Sequence, residues 1–155
     1  MAKHGFLDIL DEELEKNFNY DYEINWDKRN FAVEISFLLE AENVQHIALT
    51  DAEGVESDEN IIYEDSIIFY NPVKSHFDSE DYLTAISYPE KGLSREFLAY
   101  FTEYLQETVD TGMDDLIDFL TDDSAEEFSI NWDNEKFLTE LSKISETEFF
   151  KYPRY

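Results

Sequence analysis

Between Tyr20 and Leu39 the chain alternates apolar and polar residues twice over, and few patterns leave a polypeptide less choice. Tyr20, Tyr22, Ile24 and Trp26 fall on one side, with Asp21, Glu23 and Asn25 on the other. After the polar turn Asp27-Lys28-Arg29-Asn30 the alternation resumes through Phe31, Val33, Ile35, Phe37 and Leu39. Successive side chains of a strand point to opposite faces, so the pattern predicts a β-hairpin with one buried face. A slip of one residue would turn the whole apolar set toward water, which fixes the register.

The flanking segments have other periods. Phe6, Leu7, Leu10 and Leu14 recur at helical spacing, with Asp11, Glu12, Glu13 and Glu15 assigned to the opposite side, so residues 5–17 read as a helix. Val44–Thr50, Ser66–Tyr70 and Tyr82–Tyr88 read as further strands, and Asp51–Asn60, with Gly54, as a loop. Ser94 is a candidate N-cap for a helix whose apolar face carries Phe97, Leu98, Phe101, Leu105 and Val109. Gly112 is expected to interrupt that helix, with Met113–Leu120 forming a second. Glu127–Trp132 reads as a short strand, and Phe137, Leu138, Leu141 and Ile144 mark a last helix. The expected whole, residues 1–155, is a single acidic α+β domain. It is an antiparallel sheet of four to five strands with helices packed on one face.

Charge limits the function. The chain holds 38 acidic and 11 basic residues among 155, a net of −27, spread evenly along its length. With 43% hydrophobic residues, 13 Phe and 10 Tyr, it has the material for a core, so the acidity belongs to the surface of a folded body. Such a surface repels nucleic-acid backbones and anionic membranes and attracts basic proteins. Crowded carboxylates should have raised pKa values, which predicts stability rising on mild acidification. With no cysteine there is no disulfide, thiolate metal site or cysteine nucleophile. No apolar run reaches the roughly 18 residues that span a membrane, and the N-terminus meets Asp8 before any secretory apolar region. The expected location is the cytoplasm.

Motifs of chemistry are absent from the sequence. His4, His46 and His76 form no metal-ligand spacing. The acidic stretches Asp51–Gly54 and Asp122–Glu126 do not match a calcium loop, which needs oxygens at positions 1, 3 and 5, Gly at 6 and Glu at 12. No nucleophile elbow, P-loop or dinucleotide fingerprint occurs. No catalytic, cofactor-binding or metal-binding residue is therefore assigned, and no cofactor is expected. The tetrapeptide Ile24-Asn25-Trp26-Asp27 recurs as Ile130-Asn131-Trp132-Asp133, each with Phe four residues beyond the Asp. It reads either as a duplicated functional unit or, preferably, as two strand ends built alike, each packing its Trp.

One pattern has the regularity of a surface. Glu96, Glu103, Glu107, Asp110, Asp114 and Asp118 are spaced 7, 4, 3, 4 and 4. On a continuous helix most would share a face, with like charges about 5–6 Å apart that destabilise by a few tenths of a kcal/mol per pair. A row of anions at that spacing is comparable with the phosphates along a nucleic-acid strand, whose rise is about 3.4 Å per step. These six are the candidate partner-binding residues. The C-terminal Phe149-Phe150-Lys151-Tyr152-Pro153-Arg154-Tyr155 is aromatic and locally basic. It reads either as a docking peptide or, preferably, as a segment folded onto the core.

The opening Met1–Leu14, MAKHGFLDILDEEL, running into the Tyr20–Glu40 hairpin, resembles a family of small acidic proteins of unknown function from lactic-acid bacteria and related low-GC Gram-positives. The resemblance implies a bacterial cytoplasmic setting and carries over no site residue. Abundant Asn, Ile, Phe and Tyr agree with an AT-rich genome. The first functional reading is a non-enzymatic acidic cytoplasmic protein that binds a basic protein surface, without binding nucleic acid or membrane itself. Nucleic-acid mimicry is one form of that binding, and a plain solvated face is the bland alternative. The alternative is a small homodimeric chaperone or adaptor holding a client. An enzyme stands third.

Overall fold

The computed structural model describes residues 4–41, 49–50, 56–57, 61–121 and 130–153. Helix α1 covers Phe6–Asn17, strand β1 Tyr22–Asp27 and β2 Ala32–Ala41. The predicted hairpin forms, Tyr22 facing Phe37 and Trp26 facing Val33, but Phe31, expected on its buried face, precedes β2 in a left-handed turn conformation and is exposed. On β2, Val33, Ile35, Phe37 and Leu39 are buried. β5, Ile61–Tyr70, pairs antiparallel with β2 and adds Ile67 and Phe69 to the same buried side.

β6, Thr84–Ser87, completes a four-stranded sheet in the order β1-β2-β5-β6, but it joins β5 in parallel. The class is α+β as expected, and the sheet is mixed rather than wholly antiparallel. The cause lies in segment 71–83. Asn71 closes a turn by accepting from the backbone N–H of Val73 and Lys74. The chain then passes the hairpin turn, where Asn30 bonds both backbone groups of His76. It re-enters the sheet at Leu83, whose N–H donates to Ser66. A connection of a dozen or more residues permits a parallel return, which a tight turn cannot provide.

Two short ladders lie apart: β3, Leu49–Thr50, with β4, Glu56–Ser57, and β7, Leu93–Ser94, with β8, Phe149–Phe150. Of the expected strand Val44–Thr50 only the last two residues are described, and Glu56–Ser57 pairs where a loop was expected. Residues 42–48, 51–55 and 58–60, with His46 and Asp51–Gly54, lie outside the described residues, as does Asp122–Glu126. Ile130–Trp132 forms no strand; it leads into α3, Asn134–Leu141, where the Asp133 side chain accepts from the Lys136 N–H. Trp26 and Trp132 thus occupy unlike settings, the end of a strand and the entry to a helix.

The largest departure is α2. It runs unbroken over Arg95–Thr121, and Gly112 does not interrupt it. Gly112 is buried, and a Cβ there would stand 3.0 Å from Ile130 Cγ1. The glycine admits Ile130 against the helix, and the helix-propensity cost of about 1 kcal/mol is outweighed by packing on both sides. Ser94 caps α2 as predicted, its Oγ accepting from the Phe97 N–H at 2.9 Å and donating to Glu146 at 2.8 Å.

α1 and α2 pack on each other over the sheet's buried side, where Phe6, Leu10, Leu14, Leu98, Phe101 and Leu105 are fully enclosed. Phe101 lies edge-on to Phe69 at 5.1 Å and also meets Trp132 and Phe137. Glu13, expected on the solvent side of α1, is only 5% exposed. Asn17 donates to it and Arg95 pairs with it at 3.5 Å, so its charge is satisfied between the helices.

A chain so short of cations draws its hydrogen-bond donors from elsewhere. Tyr20 donates to Asp110 at 2.6 Å, Tyr22 to Asp11 at 3.3 Å, Tyr63 to Asp65 at 3.2 Å and Tyr82 to Glu34. Burial, with Asp11 beside it, pushes the Tyr22 phenol up to about 12, so it remains protonated and donating. Among the described residues no helix is long and apolar enough to cross a membrane.

Candidate functional site

Because α2 is continuous, the predicted acidic residues keep their common face. Glu103, Glu107, Asp110, Asp114 and Asp118 are all exposed. At 1.5 Å rise per residue they cover about 22 Å of helix. Beyond Arg95 the helix carries no cation. Two of the six predicted residues have other duties. Asp110 accepts from Tyr20 and from Gln106. Glu96 lies at the start of the same face, but its carboxylate accepts from the backbone N–H groups of Thr147 and Glu148. Those bonds hold its pKa below the ordinary value. Glu96 fastens the C-terminal segment, and the other five, Asp110 with its bonds from Tyr20 and Gln106 among them, stay on the exposed face of α2.

That C-terminal segment is a strap laid on the body, the preferred of the two sequence readings. The Phe6 N–H donates to Lys151 O at 3.0 Å and the Arg95 N–H to Glu148 O at 2.9 Å. Two glycines with positive φ let it approach. A Cβ on Gly5 (φ +53°) would fall 2.0 Å from Lys151 O, and one on Gly92 (φ +87°) 1.8 Å from Phe150 O. Only a residue without a side chain fits beneath either crossing.

Between the strap and the turn of the β1–β2 hairpin lies a cleft that sequence reasoning missed. It has a volume of about 760 Å³ and draws its walls from four separate stretches, around residues 26–31, 71–74, 88–90 and 151–153. Tyr152 is its centre: the ring stacks on Tyr88 at 5.0 Å, and its hydroxyl accepts from the Trp26 indole N–H at 2.8 Å. The Lys28 ammonium stands 4.6 Å above the Trp26 ring and that of Lys74 4.7 Å above Phe31. His4 packs on Trp26 at 5.6 Å. All three prolines of the chain line the cleft. That convergence, with the basic aromatic C-terminus, was the available sequence signal.

Among the described residues no group of three or more His, Asp or Glu is placed to hold a metal ion. No curated protein matches the chain. A solved structure, described as a conserved protein of unknown function from Enterococcus faecalis, is similar over 98% of this chain and 95% of its own. It has 38% sequence identity and a TM-score of 0.83. The pattern of the family described as "Protein of unknown function (DUF3013)" matches residues 1–154, and the chain belongs to that family.

Proposed function

We propose that this protein is a non-enzymatic acidic binding protein of the cytoplasm whose α2 face docks on a basic protein surface, one shaped to hold a nucleic-acid backbone. The observation that carries the reading is the row of five exposed carboxylates, Glu103, Glu107, Asp110, Asp114 and Asp118, on one face of an unbroken helix. Like charges three and four residues apart destabilise the free helix. A cationic partner relieves that repulsion, and a net charge of −27 steers it into place at a rate that falls with salt. The dimeric chaperone reading has less support: among the described residues the exposed large apolar side chains are Phe31, Ile62, Val73, Ile117 and Leu138, of which Phe31 and Val73 share the cleft beside the strap.

The test is affinity capture from a low-GC Gram-positive lysate, eluted with a salt gradient. A second bait carries Glu103→Gln, Glu107→Gln and Asp114→Asn, sparing Asp110 so that its bond from Tyr20 survives. A basic protein held by the first bait and lost from the second is the expected result. Identical eluates from both would mean that the face is merely solvated.

A further inference from the structure

We propose that the cleft between the hairpin turn and the C-terminal strap binds a small anion carrying a planar ring, the chemical class of a mononucleotide. Charge supplies the first argument. Three lysines, Lys28, Lys74 and Lys151, line the cleft with a single acid, Glu90, in a chain that otherwise holds far more acids than bases. Among the described residues neither Lys74 nor Lys151 is bonded to a carboxylate. Such a local reversal of sign raises the concentration of anions at the cleft relative to the acidic surface around it.

The rings supply the second. Trp26 and Phe31 each lie under an ammonium group, so both ring faces are already used as cation seats. A planar ligand ring can take the place of an ammonium on the aromatic face. The freed lysine then meets the ligand's anionic group in a charge-assisted hydrogen bond, the stronger contact of the two. The cleft volume of about 760 Å³ falls in the range of small-molecule sites.

Phe31 supplies the third, independently of charge. It is the one non-glycine residue of positive φ among those described, at φ 53°, ψ 41°. Glycine is the usual occupant of this position after a hairpin turn. Phe31 is held there by its own carbonyl, which accepts from the Tyr88 hydroxyl at 2.6 Å and the Ser75 hydroxyl at 3.2 Å. The residue is 39% exposed and stands outside the enclosed core, its ring meeting Tyr152 at 6.3 Å. A strained backbone that presents an aromatic ring to the mouth of a lysine-lined cleft serves a ligand.

The experiment follows the Trp26 indole N–H and the Lys74 amide by two-dimensional NMR while AMP, GMP and UMP are titrated into the full chain. Adenosine and inorganic phosphate are the half-ligand probes. At least one nucleotide should shift both signals with Kd below about 1 mM, with adenosine and phosphate each at least tenfold weaker. Lys28→Gln combined with Lys74→Gln alters exposed side chains only and should weaken binding at least tenfold. Phe31→Gly should lose binding while melting no lower than the parent. Substituting Glu103, Glu107 and Asp114 should leave binding unchanged, which separates this site from the α2 face. The proposal is overturned if no nucleotide shifts the Trp26 signal at about 5 mM, or if phosphate alone binds as tightly as AMP. Tighter binding of an acidic, proline-containing peptide than of any nucleotide would overturn it as well, by giving the cleft to a protein partner.

Discussion

Gly92→Ala is the sharpest probe of how the strap is held. An L residue forced to a left-handed φ costs about 1–2 kcal/mol, and Gly92 sits at φ +87°. The new Cβ would also stand 1.8 Å from the Phe150 carbonyl oxygen and 2.5 Å from its carbon, where ordinary contact begins at 3.4 Å. Both atoms are backbone, so no rotamer change relieves the collision and the strap must move by roughly 1.5 Å, about half the length of a good hydrogen bond. That motion breaks the β7–β8 ladder and strains the bond from Arg95 N–H to Glu148 O, at about 1 kcal/mol each. The sum is about 3–4 kcal/mol. For a chain of this size it corresponds to a fall in melting temperature of roughly 6–15 °C. Urea unfolding followed by far-UV circular dichroism should show a lower midpoint at unchanged slope. The exposed neighbour Glu90→Ala serves as control and should stay within about 0.5 kcal/mol of the parent. If Gly92→Ala also stays within that margin, the strap is not clamped as described.

The remaining predictions concern the core and the titrating groups. Ser94→Ala removes the α2 cap and strips Glu146 of its donor; it should cost about 1–2 kcal/mol in urea unfolding, and no loss would mean the cap is idle. Phe101→Ala opens a cavity at the centre of the aromatic cluster and should cost about 3–5 kcal/mol; under about 1 kcal/mol would mean that Phe69 and Phe137 close the gap. Asp65, half-buried and bonded by Ser66 N–H and Tyr63, has its pKa raised by burial. Its charge therefore costs stability above that raised value and the cost vanishes as pH falls through it. Asp65→Asn should melt higher than the parent at pH 7, with the gap closing below the ordinary aspartate range; a gap that widens on acidification would reverse the assignment. Glu96, with its pKa lowered by backbone donors, acts with the opposite sign. The stability it supplies at neutral pH is lost as pH falls through its lowered value, so Glu96→Gln should lower the melting temperature at pH 7 and matter less in acid.

Local signals carried the elements, and long-range contacts carried the surprises. The hairpin was legible because alternate residues of Tyr22–Trp26 and Val33–Leu39 must choose one face, and Ser94 because a cap acts within three residues; Phe31, which shared the alternation, was lost to the turn. Gly112 misled because propensity sees only the helix, whereas the reason for the glycine is Ile130, far along the chain. The parallel entry of β6 depends on where segment 71–83 crosses, and no periodicity encodes that. Helical spacing is local geometry, so the acidic row on α2 was legible up to Gly112; that Asp114 and Asp118 stay in line follows from the unbroken helix, which the sequence reading did not expect. Glu96 shared the spacing, but its carboxylate was committed to Thr147 and Glu148 by tertiary structure. The cleft was invisible for the same reason: four short stretches, each unremarkable alone, meet only once the strap is in place.

The tyrosine–carboxylate bonds have a consequence for how this molecule meets its solvent. A fold stitched by Arg–Glu pairs is pulled both ways by added electrolyte, which weakens its cohesion as it screens its repulsion. Here Tyr20, Tyr22, Tyr63 and Tyr82 supply cohesion through neutral donors that electrolyte screens only feebly, while the surplus of acids over bases supplies repulsion that it screens strongly. Ionic strength therefore acts on the folded state predominantly in one direction: a saltier medium quiets the surface and leaves the seams intact.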